Sequence, residues 1–446
     1  MRAINKVMTK GKALALLTAL ATSVTAVAGF APATAAAHTI TARYDGPVTD
    51  ITFWNGHPSG ALKLQMHEEV AEFNNTHPNI HVSYIDKYSD VQSIIAAMLG
   101  NDAPNVIMPH LDGAQQFAAR GYLVNLQPYI DGSDGLSAAQ IHADYYPSIW
   151  NAMKVTPSEQ YIIPYEANGQ MVIFDNATLL KKAGITAQPR TWAQVVADAK
   201  KVTALGPNYH GIAWTPSLTQ FFVMTQDFGG KMWANASRTQ FALNNPGALT
   251  ALTMLRTMVA DKSMELTSNY GYQLDFGTGN VGLLIESSAG WTYDRASAGG
   301  KFDMVATPAP AGPSGHAFNY VNGDALSIMN TGTTAQQQAS WTFIKWLSSP
   351  AINAQWNERT NYLPTGPTTL AMMRRFYKEN KDYGAAMTNP GDWMTDPAAN
   401  ATQFYAAETG MNDDFDKALL GQEPVARALA NMNTVGNEYL DGQLKG

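Results

Sequence analysis

Asp50-Ile-Thr-Phe-Trp54 opens the run of alternating elements that decides the fold class. This apolar stretch is predicted as a short buried strand, and apolar residues then recur at helical spacing between residues 62 and 73. Ile80-His-Val-Ser-Tyr-Ile85 alternates as a strand does, residues 91–98 repeat the helical pattern, and Asn105-Val-Ile-Met108 is predicted as a third strand. Strands and helices that alternate with short links are typical of a mostly parallel sheet. The sequence therefore predicts an α/β fold.

The residues that follow these three strands form a first set of candidate site residues. In a parallel sheet, a ligand binds beyond the carboxyl ends of the strands. That rule places Trp54 to Gly56, Tyr84 to Tyr88 and His110 to Asp112 on one rim. The candidate ligand contacts from this rim are Trp54, Tyr88, His110 and Asp112.

A second set of alternating elements follows residue 160. The region from Tyr161 to Phe174 is predicted to pass from one lobe to another: an extended apolar stretch to Tyr165 is interrupted by polar residues at 166–169 and resumes as a strand at Met171. Thr191 is predicted to cap one helix, and Pro246 to open another. Val281-Gly-Leu-Leu-Ile285 is predicted as a strand, and Phe302-Asp-Met-Val-Ala306 as a second passage between lobes. These patterns indicate two α/β lobes that share one chain.

The first 37 residues are predicted to be a secretory signal peptide rather than part of the fold. Four basic residues up to Lys12 precede an apolar run from Ala13 to about Phe30, and small-residue cleavage patterns follow at residues 33–37. A membrane-spanning helix is the alternative, but Thr and Ser residues interrupt the apolar segment and Pro32 ends it. We therefore expect an exported protein, most simply a periplasmic one. Because the sequence has no Cys, it offers no residue for a lipid anchor.

The composition excludes several kinds of site. The 446 residues include 29 Lys and Arg, 36 Asp and Glu and no Cys, with a formal net charge of -7. Without Cys, the chain cannot form Cys-ligated zinc sites or iron–sulfur clusters or use thiol catalysis. An acidic chain lacks the clustered Lys and Arg that bind nucleic acid, so no nucleic-acid partner is predicted. The nine His are scattered without ligand spacing, and neither a metal site nor a cofactor is predicted.

Two patterns that occur in enzymes have simpler explanations in this chain. Gly277-Thr-Gly-Asn-Val-Gly282 matches a dinucleotide-binding motif, but a strand follows it where a helix is required, so a turn is favoured. Paired carboxylates among Asp112, Glu166, Glu286 and Asp324 are the alternative basis of a glycosidase. Such residues are common at strand ends, where they accept hydrogen bonds from ligand hydroxyls or cap loops. A binding protein is therefore favoured over a secreted carbohydrate hydrolase.

Two stretches carry a resemblance to a known family. They are Ala339-Ser-Trp-Thr-Phe-Ile-Lys-Trp-Leu-Ser-Ser-Pro350 and Trp356-Asn-Glu-Arg-Thr-Asn-Tyr-Leu-Pro364, and Ile163-Pro-Tyr-Glu166 supports them. With these motifs the chain resembles the extracellular solute-binding proteins of ABC importers, family 1, whose members take up sugars and glycerol phosphates. The likeness covers essentially the whole chain after the leader.

The resemblance implies the fold and its division. It implies a two-lobe periplasmic-binding-protein fold of type II, in which each lobe is a mostly parallel sheet flanked by helices and a hinge of several strands joins the lobes. The expected division is a signal peptide at 1–37, an N-terminal lobe at 38–162 plus 307–360, and a C-terminal lobe at 163–306 plus 361–446. Ligand is held between the lobes, which close over it.

The resemblance also implies ligand contacts. Sugar faces are apolar surfaces on which Trp and Tyr stack, and sugar edges need directed hydrogen bonds from Asp, Glu and Asn. The family's aromatic contacts correspond to Tyr88 and Tyr362, and its Ser pair and backbone glycine correspond to Ser287, Ser288 and Gly323. The other residues in this set are Glu166, Asn168, Trp214, Trp291, Asn322 and Asp324. For the two tryptophans a core role is the alternative, because large aromatics are mostly buried.

Departures from the family pattern bear on the ligand. The glycerol-phosphate binders carry an Arg where this chain, over residues 398–410, has neither Arg nor Lys. A phosphate needs a fork of donors, so a neutral mono- or oligosaccharide is favoured over glycerol-3-phosphate or a glycerophosphodiester. The expected partners are this small ligand and the permease subunits of an ABC transporter, with the protein a monomer. A signalling or adhesion subunit that binds sugar is a third interpretation.

Overall fold

A computed structural model describes residues 44–152, 154–156, 159–387, 392–395 and 403–443. The predicted signal peptide lies outside the described residues.

Fifteen strands and nineteen helices make up the described part of the chain. The strands are β1 (Thr49–Asn55), β2 (Ile80–Asp86), β3 (Val106–Ile107), β4 (Lys154–Thr156), β5 (Glu159–Gln160), β6 (Ile163–Pro164), β7 (Asn168–Gly169), β8 (Val172–Asn176), β9 (His210–Trp214), β10 (Met264–Leu266), β11 (Val281–Glu286), β12 (Met304–Thr307), β13 (Phe318–Asn322), β14 (Ala325–Ile328) and β15 (Asp392–Thr395).

The helices are α1 (Gly60–Thr76), α2 (Val91–Leu99), α3 (Leu111–Ala119), α4 (Gln127–Ile130), α5 (Ala138–Asp144), α6 (Pro147–Ala152), α7 (Ala177–Lys182), α8 (Trp192–Thr203), α9 (Leu218–Asp227), α10 (Pro246–Ala260), α11 (Gly271–Gly277), α12 (Trp291–Ala298), α13 (Thr334–Leu347), α14 (Pro350–Thr360), α15 (Pro367–Met372), α16 (Arg374–Glu379), α17 (Lys381–Met387), α18 (Phe404–Leu419) and α19 (Val425–Leu440). Among these described elements, none is both long and apolar enough to cross a bilayer.

The N-terminal sheet has the strand order β2-β1-β3-β14-β6. β1 pairs in parallel with β2 and β3, whereas β14 is antiparallel to β3 and to β6, so four of the five strands run in one direction. The buried ring of Phe53 on β1 lies 5.3 Å from Phe343 of α13, and Phe73 of α1 lies 4.9 Å from the same ring. The predicted strands and helices of residues 50–108 are confirmed.

The C-terminal sheet repeats this plan, with the order β10-β9-β11-β8-β12. β9 pairs in parallel with β10 and β11, and β8 is antiparallel to β11 and to β12. The predicted cap of α8 is present as a capping box between Thr191 and Gln194, and Asn245 caps α10 with Pro246 in its first turn. Each lobe is therefore a mostly parallel sheet with one strand reversed.

Three segments of chain cross between the sheets. The first runs from β6 in the N-terminal sheet through β7 to β8 in the C-terminal sheet, as predicted. The second runs from β13 to β14. The third is the segment that contains Leu363, between α14 and α15, and the Leu363 amide donates to the Ala167 carbonyl at 2.7 Å. β7 and β13 pair antiparallel, so the first two crossings are hydrogen-bonded to each other. This is the hinge of several strands.

The second crossing lies later in the chain than predicted. Residues 304–307 form β12, which pairs with β8 inside the C-terminal sheet, and Ala309 and Tyr320 are buried in the core of the C-terminal lobe. The chain returns to the N-terminal sheet only at β14, which begins at Ala325. An alternating apolar strand has the same sequence pattern in either sheet, and for that reason the pattern at residues 302–306 did not reveal which sheet it joins.

Candidate functional site

The edge of the N-terminal sheet that faces the crossings carries four polar side chains from four adjacent strands. His57 follows β1, His110 follows β3 and Glu166 follows β6, whereas Asp324 precedes the antiparallel strand β14. Because β14 runs opposite to its neighbours, its beginning lies at the same edge as their ends. The topology therefore gathers residues that are far apart in sequence.

Two hydrogen bonds and one close polar contact join these residues to one another. Nε2 of His57 lies 2.7 Å from Oε1 of Glu166, and both side chains are buried. The Glu166 amide donates to the Asp324 carbonyl at 3.0 Å, so the two crossings are held together at this point. Nδ1 of His110, whose side chain is 60% exposed, lies 3.1 Å from Oδ1 of Asp324. One imidazole of the group is therefore enclosed and the other faces solvent.

Burial and charge shift the titration of this group. Burial disfavours the charged form of His57, but the adjacent Glu166 carboxylate, together with the charges of Asp324 and Glu69, outweighs this effect, so the pKa of His57 is raised. Burial also raises the pKa of Glu166, and its interaction with His57 offsets only part of that rise. Both shifts therefore favour the protonated forms of these two side chains.

Two glycines allow the close approach of backbone and side chains at this edge. Gly323 has φ +150°, and a Cβ atom there would lie 2.4 Å from the Glu166 carbonyl oxygen. A Cβ atom on Gly56 would lie 3.2 Å from Oδ2 of Asp324. Glycine is required at position 323 by the packing of the two crossings.

A cavity of about 280 Å³ opens beside Asp324 and His110. Its lining comes from the loop after β2 with the start of α2, from the loop after β3 with the start of α3, and from the residue before β14. The lining residues are Tyr88, Ser89, Asp90, Val91, Met108, His110, Gly113 and Asp324. Within the described part of the chain, this lining includes no Lys and no Arg. The cavity thus offers apolar surface, hydroxyls, an imidazole and carboxylates, which suits an uncharged polar ligand.

Tyr362 and Tyr293 lie within electrostatic range of Glu166, and Tyr88 and Tyr270 lie within range of these tyrosines. Burial raises the pKa of Tyr362 well above its ordinary value, and the charges of Glu166 and Asp324 and the nearby Tyr293 and Tyr88 add to the rise. Burial also raises the pKa of Tyr293, with further contributions from Tyr88, Tyr270 and Glu166. Tyr88 is 61% exposed, Tyr270 71% and Tyr293 49%. We call Tyr88, Tyr270, Tyr293 and Tyr362 the tyrosine group.

The predicted contacts on the C-terminal side lie along the crossings. Asn168 and Asn322 are opposite each other where β7 pairs with β13, and both are half-buried. Their side-chain oxygens accept hydrogen bonds from Gln170 and from the Gly323 amide, at 2.7 Å in each case. A half-exposed Asn side chain of this kind has further hydrogen-bond donors and acceptors that a ligand can use.

The predicted serine pair divides into two roles. Ser288 is buried, and its hydroxyl accepts a hydrogen bond from the Gly169 amide at 3.0 Å. Ser287 is half-buried and donates to Oε1 of Glu286 at 3.1 Å. In this conformation Ser288 therefore fixes the first crossing, whereas Ser287 is the more accessible of the two.

Buried carboxyls lie behind this surface. Burial raises the pKa of Glu286, which accepts a hydrogen bond from Tyr272. Burial is the main cause that raises the pKa of Asp294 to about 9, and the negative charge of Glu286 adds to the rise. Both carboxyl oxygens of Asp294 are buried without a hydrogen-bond partner. Asp294 is therefore neutral at pH 7. Glu286, an alternative catalytic acid, is 9% exposed and lies apart from the Glu166 group in sequence and sheet.

The three predicted tryptophans are packed into protein rather than presented to a ligand. Trp54 is buried and lies under the Lys87 ammonium, which is 4.2 Å from the ring centre. Trp214 is 1% exposed and donates to Gln220 at 2.6 Å. Trp291 is buried against Phe174, with ring centres 5.4 Å apart. For Trp214 and Trp291 these positions match the core alternative. The side chain of Asp112, at the start of α3, lies outside the described residues.

The sequence did not point to three residues of this site. His57 was missed because it stands two residues beyond β1 with no second ligand nearby in sequence. Tyr270 and Tyr293 were missed because they lie at the start of α11 and within α12, where an isolated tyrosine has no distinguishing pattern. For His57 the available signal was its position just past the predicted rim residue Gly56.

Comparison with known proteins identifies the family and the fold. Residues 59–354 match the family described as bacterial extracellular solute-binding protein. The sn-glycerol-3-phosphate-binding periplasmic protein UgpB of Yersinia pestis is 23% identical over 363 residues, which cover 75% of this chain and 78% of that protein. The matched region of the family is well over half of this chain.

Two solved structures resemble the chain closely in fold. The cyclic alpha-maltosyl-1,6-maltose binding protein from Arthrobacter globiformis has a TM-score of 0.75 and 19% identity, and the match covers 89% of this chain and 100% of that one. UgpB from Mycobacterium tuberculosis, solved in complex with glycerophosphocholine, has a TM-score of 0.75 and 21% identity over 90% of this chain and 100% of that one. The fold is the two-lobe, type II fold of periplasmic binding proteins. The chain belongs to the family of bacterial extracellular solute-binding proteins.

Proposed function

We propose that this protein is the substrate-binding component of an ABC importer and that it captures a neutral sugar or oligosaccharide between its lobes. The observation that carries the proposal is a cavity lined by Tyr88, His110 and Asp324, whose described lining includes no Lys and no Arg. Glu166 adjoins this cavity through its hydrogen bond to Asp324, and the charges of both carboxylates act on Tyr362. Carboxylates accept hydrogen bonds from hydroxyls, and tyrosine rings cover the apolar faces of a sugar ring.

Hinged lobes, and carboxyls that lie on one sheet edge, suit a protein that releases its ligand chemically unchanged. The crossings join the lobes by paired strands, so the lobes can move as hinged bodies while the ligand contacts are made and broken. The closed form presents both lobes to the permease subunits, and the protein acts as a monomer after export to the periplasm. A hydrolase would require two carboxyls on opposite sides of a scissile bond, whereas Glu166 and Asp324 are joined on one sheet edge.

A glycerol-3-phosphate or glycerophosphodiester ligand is the second candidate. It is favoured by the relative named as a sn-glycerol-3-phosphate-binding protein and by the similar structure with glycerophosphocholine. The acidic group at the sheet edge disfavours it, because a phosphate needs donors rather than carboxylates.

Thermal shift against a panel of sugars, oligosaccharides and glycerophosphates tests the proposal. A ligand that binds only the folded protein raises the melting temperature, and at 100 times Kd it stabilises by about 2.7 kcal/mol. We expect a shift with a saccharide, and loss of that shift in Tyr362→Ala. Tyr88→Ala, at an exposed position, provides a second test that does not disturb the core.

Tyr209→Ala is the matched control, since Tyr209 lies on the outer surface of the C-terminal lobe beside Lys182. It should retain the full shift. A saccharide shift that persists unchanged in both Tyr362→Ala and Tyr88→Ala contradicts the proposed site. Mass analysis of the recovered saccharide should show it intact, and a cleaved product would instead establish a hydrolase.

A further inference from the structure

We propose that the edge of the N-terminal sheet holds a first-row divalent metal ion such as Zn²⁺, bound by His57, Glu166, Asp324 and His110. The proposal concerns the same cleft as the proposed function, but it depends only on these four side chains. It gives the protein a metal site at the floor of its ligand cavity.

The buried members of the group already lie at distances close to those of a coordination shell. One ligand atom each from His57, Glu166 and Asp324 can be chosen so that all three lie within 4.8 Å of one another, and all three residues are buried. Ligand atoms of Zn²⁺ lie about 2.0–2.2 Å from the ion, so two of them stand roughly 3–4 Å apart. Small rotations of side chains are enough to reach that geometry.

Asp324 has an oxygen available for the ion. Its Oδ1 is buried, and no neighbour is placed to make a directed hydrogen bond to it, although His110 Nδ1 is 3.1 Å away. A buried carboxylate oxygen without a directed partner is unfavourable in a folded protein, and a metal ion removes that deficit. His110 stands on the solvent side, where its imidazole supplies the fourth donor.

The mixture of donors selects the kind of metal. Two imidazole nitrogens and two carboxylate oxygens suit Zn²⁺ and its first-row neighbours, whereas Ca²⁺ and Mg²⁺ prefer shells made of oxygen alone. When the ion binds, the hydrogen bond between His57 and Glu166 is replaced by two metal bonds, and the proton of that hydrogen bond is displaced.

The ion also has a mechanical and a chemical consequence. It ties Glu166 on the first crossing and Asp324 on the second crossing to the loops after β1 and β3, and so stiffens the hinge. Because His110 and Asp324 line the cavity, an oxygen of a bound ligand can add to the coordination shell from that side. The metal is thus placed to take part in ligand recognition.

Isothermal titration of the EDTA-treated, dialysed protein with ZnCl₂ tests the site. We expect one ion per chain with micromolar or tighter affinity, and weak or no binding of CaCl₂. His57→Gln and Asp324→Asn should each weaken the Zn²⁺ affinity at least about tenfold. His67→Gln is the matched control, because His67 belongs to the same lobe but pairs with Asp86. It should bind Zn²⁺ as the unaltered protein does.

The visible absorption of bound Co²⁺ provides a second measurement of metal binding that is independent of calorimetry. A visible absorption band of tetrahedral Co²⁺ should appear in the unaltered protein and in His67→Gln, and should be lost in His57→Gln. Absence of Zn²⁺ binding, or equal binding by the unaltered protein, His57→Gln and Asp324→Asn, overturns the metal site. Circular dichroism of the variants confirms that each is folded.

Repeating the saccharide thermal shift with and without EDTA separates this proposal from the proposed function. A shift that persists in EDTA, together with no binding of Zn²⁺, overturns the metal site and leaves the proposed function standing. Binding of Zn²⁺ without any saccharide shift supports the metal site and contradicts the proposed function.

Discussion

Gly323→Ala should disrupt the point at which the first two crossings meet. Gly323 has φ +150°, a conformation that residues with a Cβ atom rarely adopt, and its new Cβ would lie 2.4 Å from the carbonyl oxygen and 2.7 Å from the carbonyl carbon of Glu166. Contacts of that kind are normally more than 3.0 Å, so the backbone of one crossing must move by roughly 1 Å. The adjacent hydrogen bond from the Glu166 amide to the Asp324 carbonyl is then strained.

Two contributions set the magnitude of this effect. The unfavourable backbone conformation contributes about 1–3 kcal/mol, and the overlap with a backbone that cannot rotate away brings the total to about 3–4 kcal/mol. Gly60→Ala is the matched control, since Gly60 has φ +71° and a Cβ there would meet nothing within 4 Å. That control should lose only about 1 kcal/mol, from the backbone conformation alone.

Urea denaturation followed by circular dichroism measures both free energies of unfolding, and thermal shift with the saccharide measures the site. We expect Gly323→Ala to be destabilised by at least about 2 kcal/mol more than Gly60→Ala and to bind ligand more weakly. Equal stability of the two variants would refute the argument that glycine is required by the contact with Glu166.

Three further predictions concern a buried acid, a helix cap and the ligand. Burial raises the pKa of Glu69 from its ordinary value of 4.5 to about 8, so the folded protein holds a proton that the unfolded chain releases, and the free energy of unfolding falls as pH rises between these values. Glu69→Gln keeps a neutral partner for the Tyr165 hydroxyl, which lies 2.6 Å from Glu69. In urea denaturation, the free energy of unfolding of this variant should match that of the unaltered protein near pH 4 and exceed it by up to about 5 kcal/mol above pH 8. Equal free energies of unfolding at both pH values would contradict the raised pKa of Glu69. Thr191→Ala should lower the free energy of unfolding by about 1 kcal/mol, because it removes the hydroxyl that caps α8, and Thr191→Ser should restore most of it. Asp324→Asn should weaken saccharide binding in calorimetry by about tenfold while the melting temperature of the free protein stays within a few degrees, and unchanged affinity would remove Asp324 from the site.

The architecture was predictable because each lobe is built from local periodic patterns. β1, α1, β2 and α2 all appear where the alternation of apolar residues places them, and Thr191 and Pro246 begin their helices as expected. The position of the second crossing was not predictable in the same way. β12 and β14 are both short apolar strands, and only their hydrogen-bonded partners distinguish the sheet to which each belongs.

The candidate site was predictable only in part, for a topological reason. Glu166, Asp324 and His110 were recognised as residues at strand ends or through the family resemblance. Their grouping at one edge with His57 depends on the strand order and on the reversed direction of β14, which brings Asp324 to that edge. A metal site built from four separate strands has no ligand spacing in the sequence, and so scattered histidines gave no signal. Trp214 and Trp291 were predicted as ligand contacts, but the structure places them in the core. A large aromatic ring suits stacking on a sugar as well as burial, so the sequence alone did not distinguish these two roles.

The central claim is that the cleft holds an uncharged carbohydrate through Glu166, Asp324 and the tyrosine group and releases it unaltered. Isothermal titration with matched saccharides and glycerophosphodiesters, followed by mass analysis of the recovered ligand, tests it most directly. We expect one saccharide per chain, bound by the unaltered protein but not by Tyr362→Ala, and recovered with its original mass. Binding of glycerophosphodiesters alone, or recovery of a cleaved saccharide, would contradict the claim.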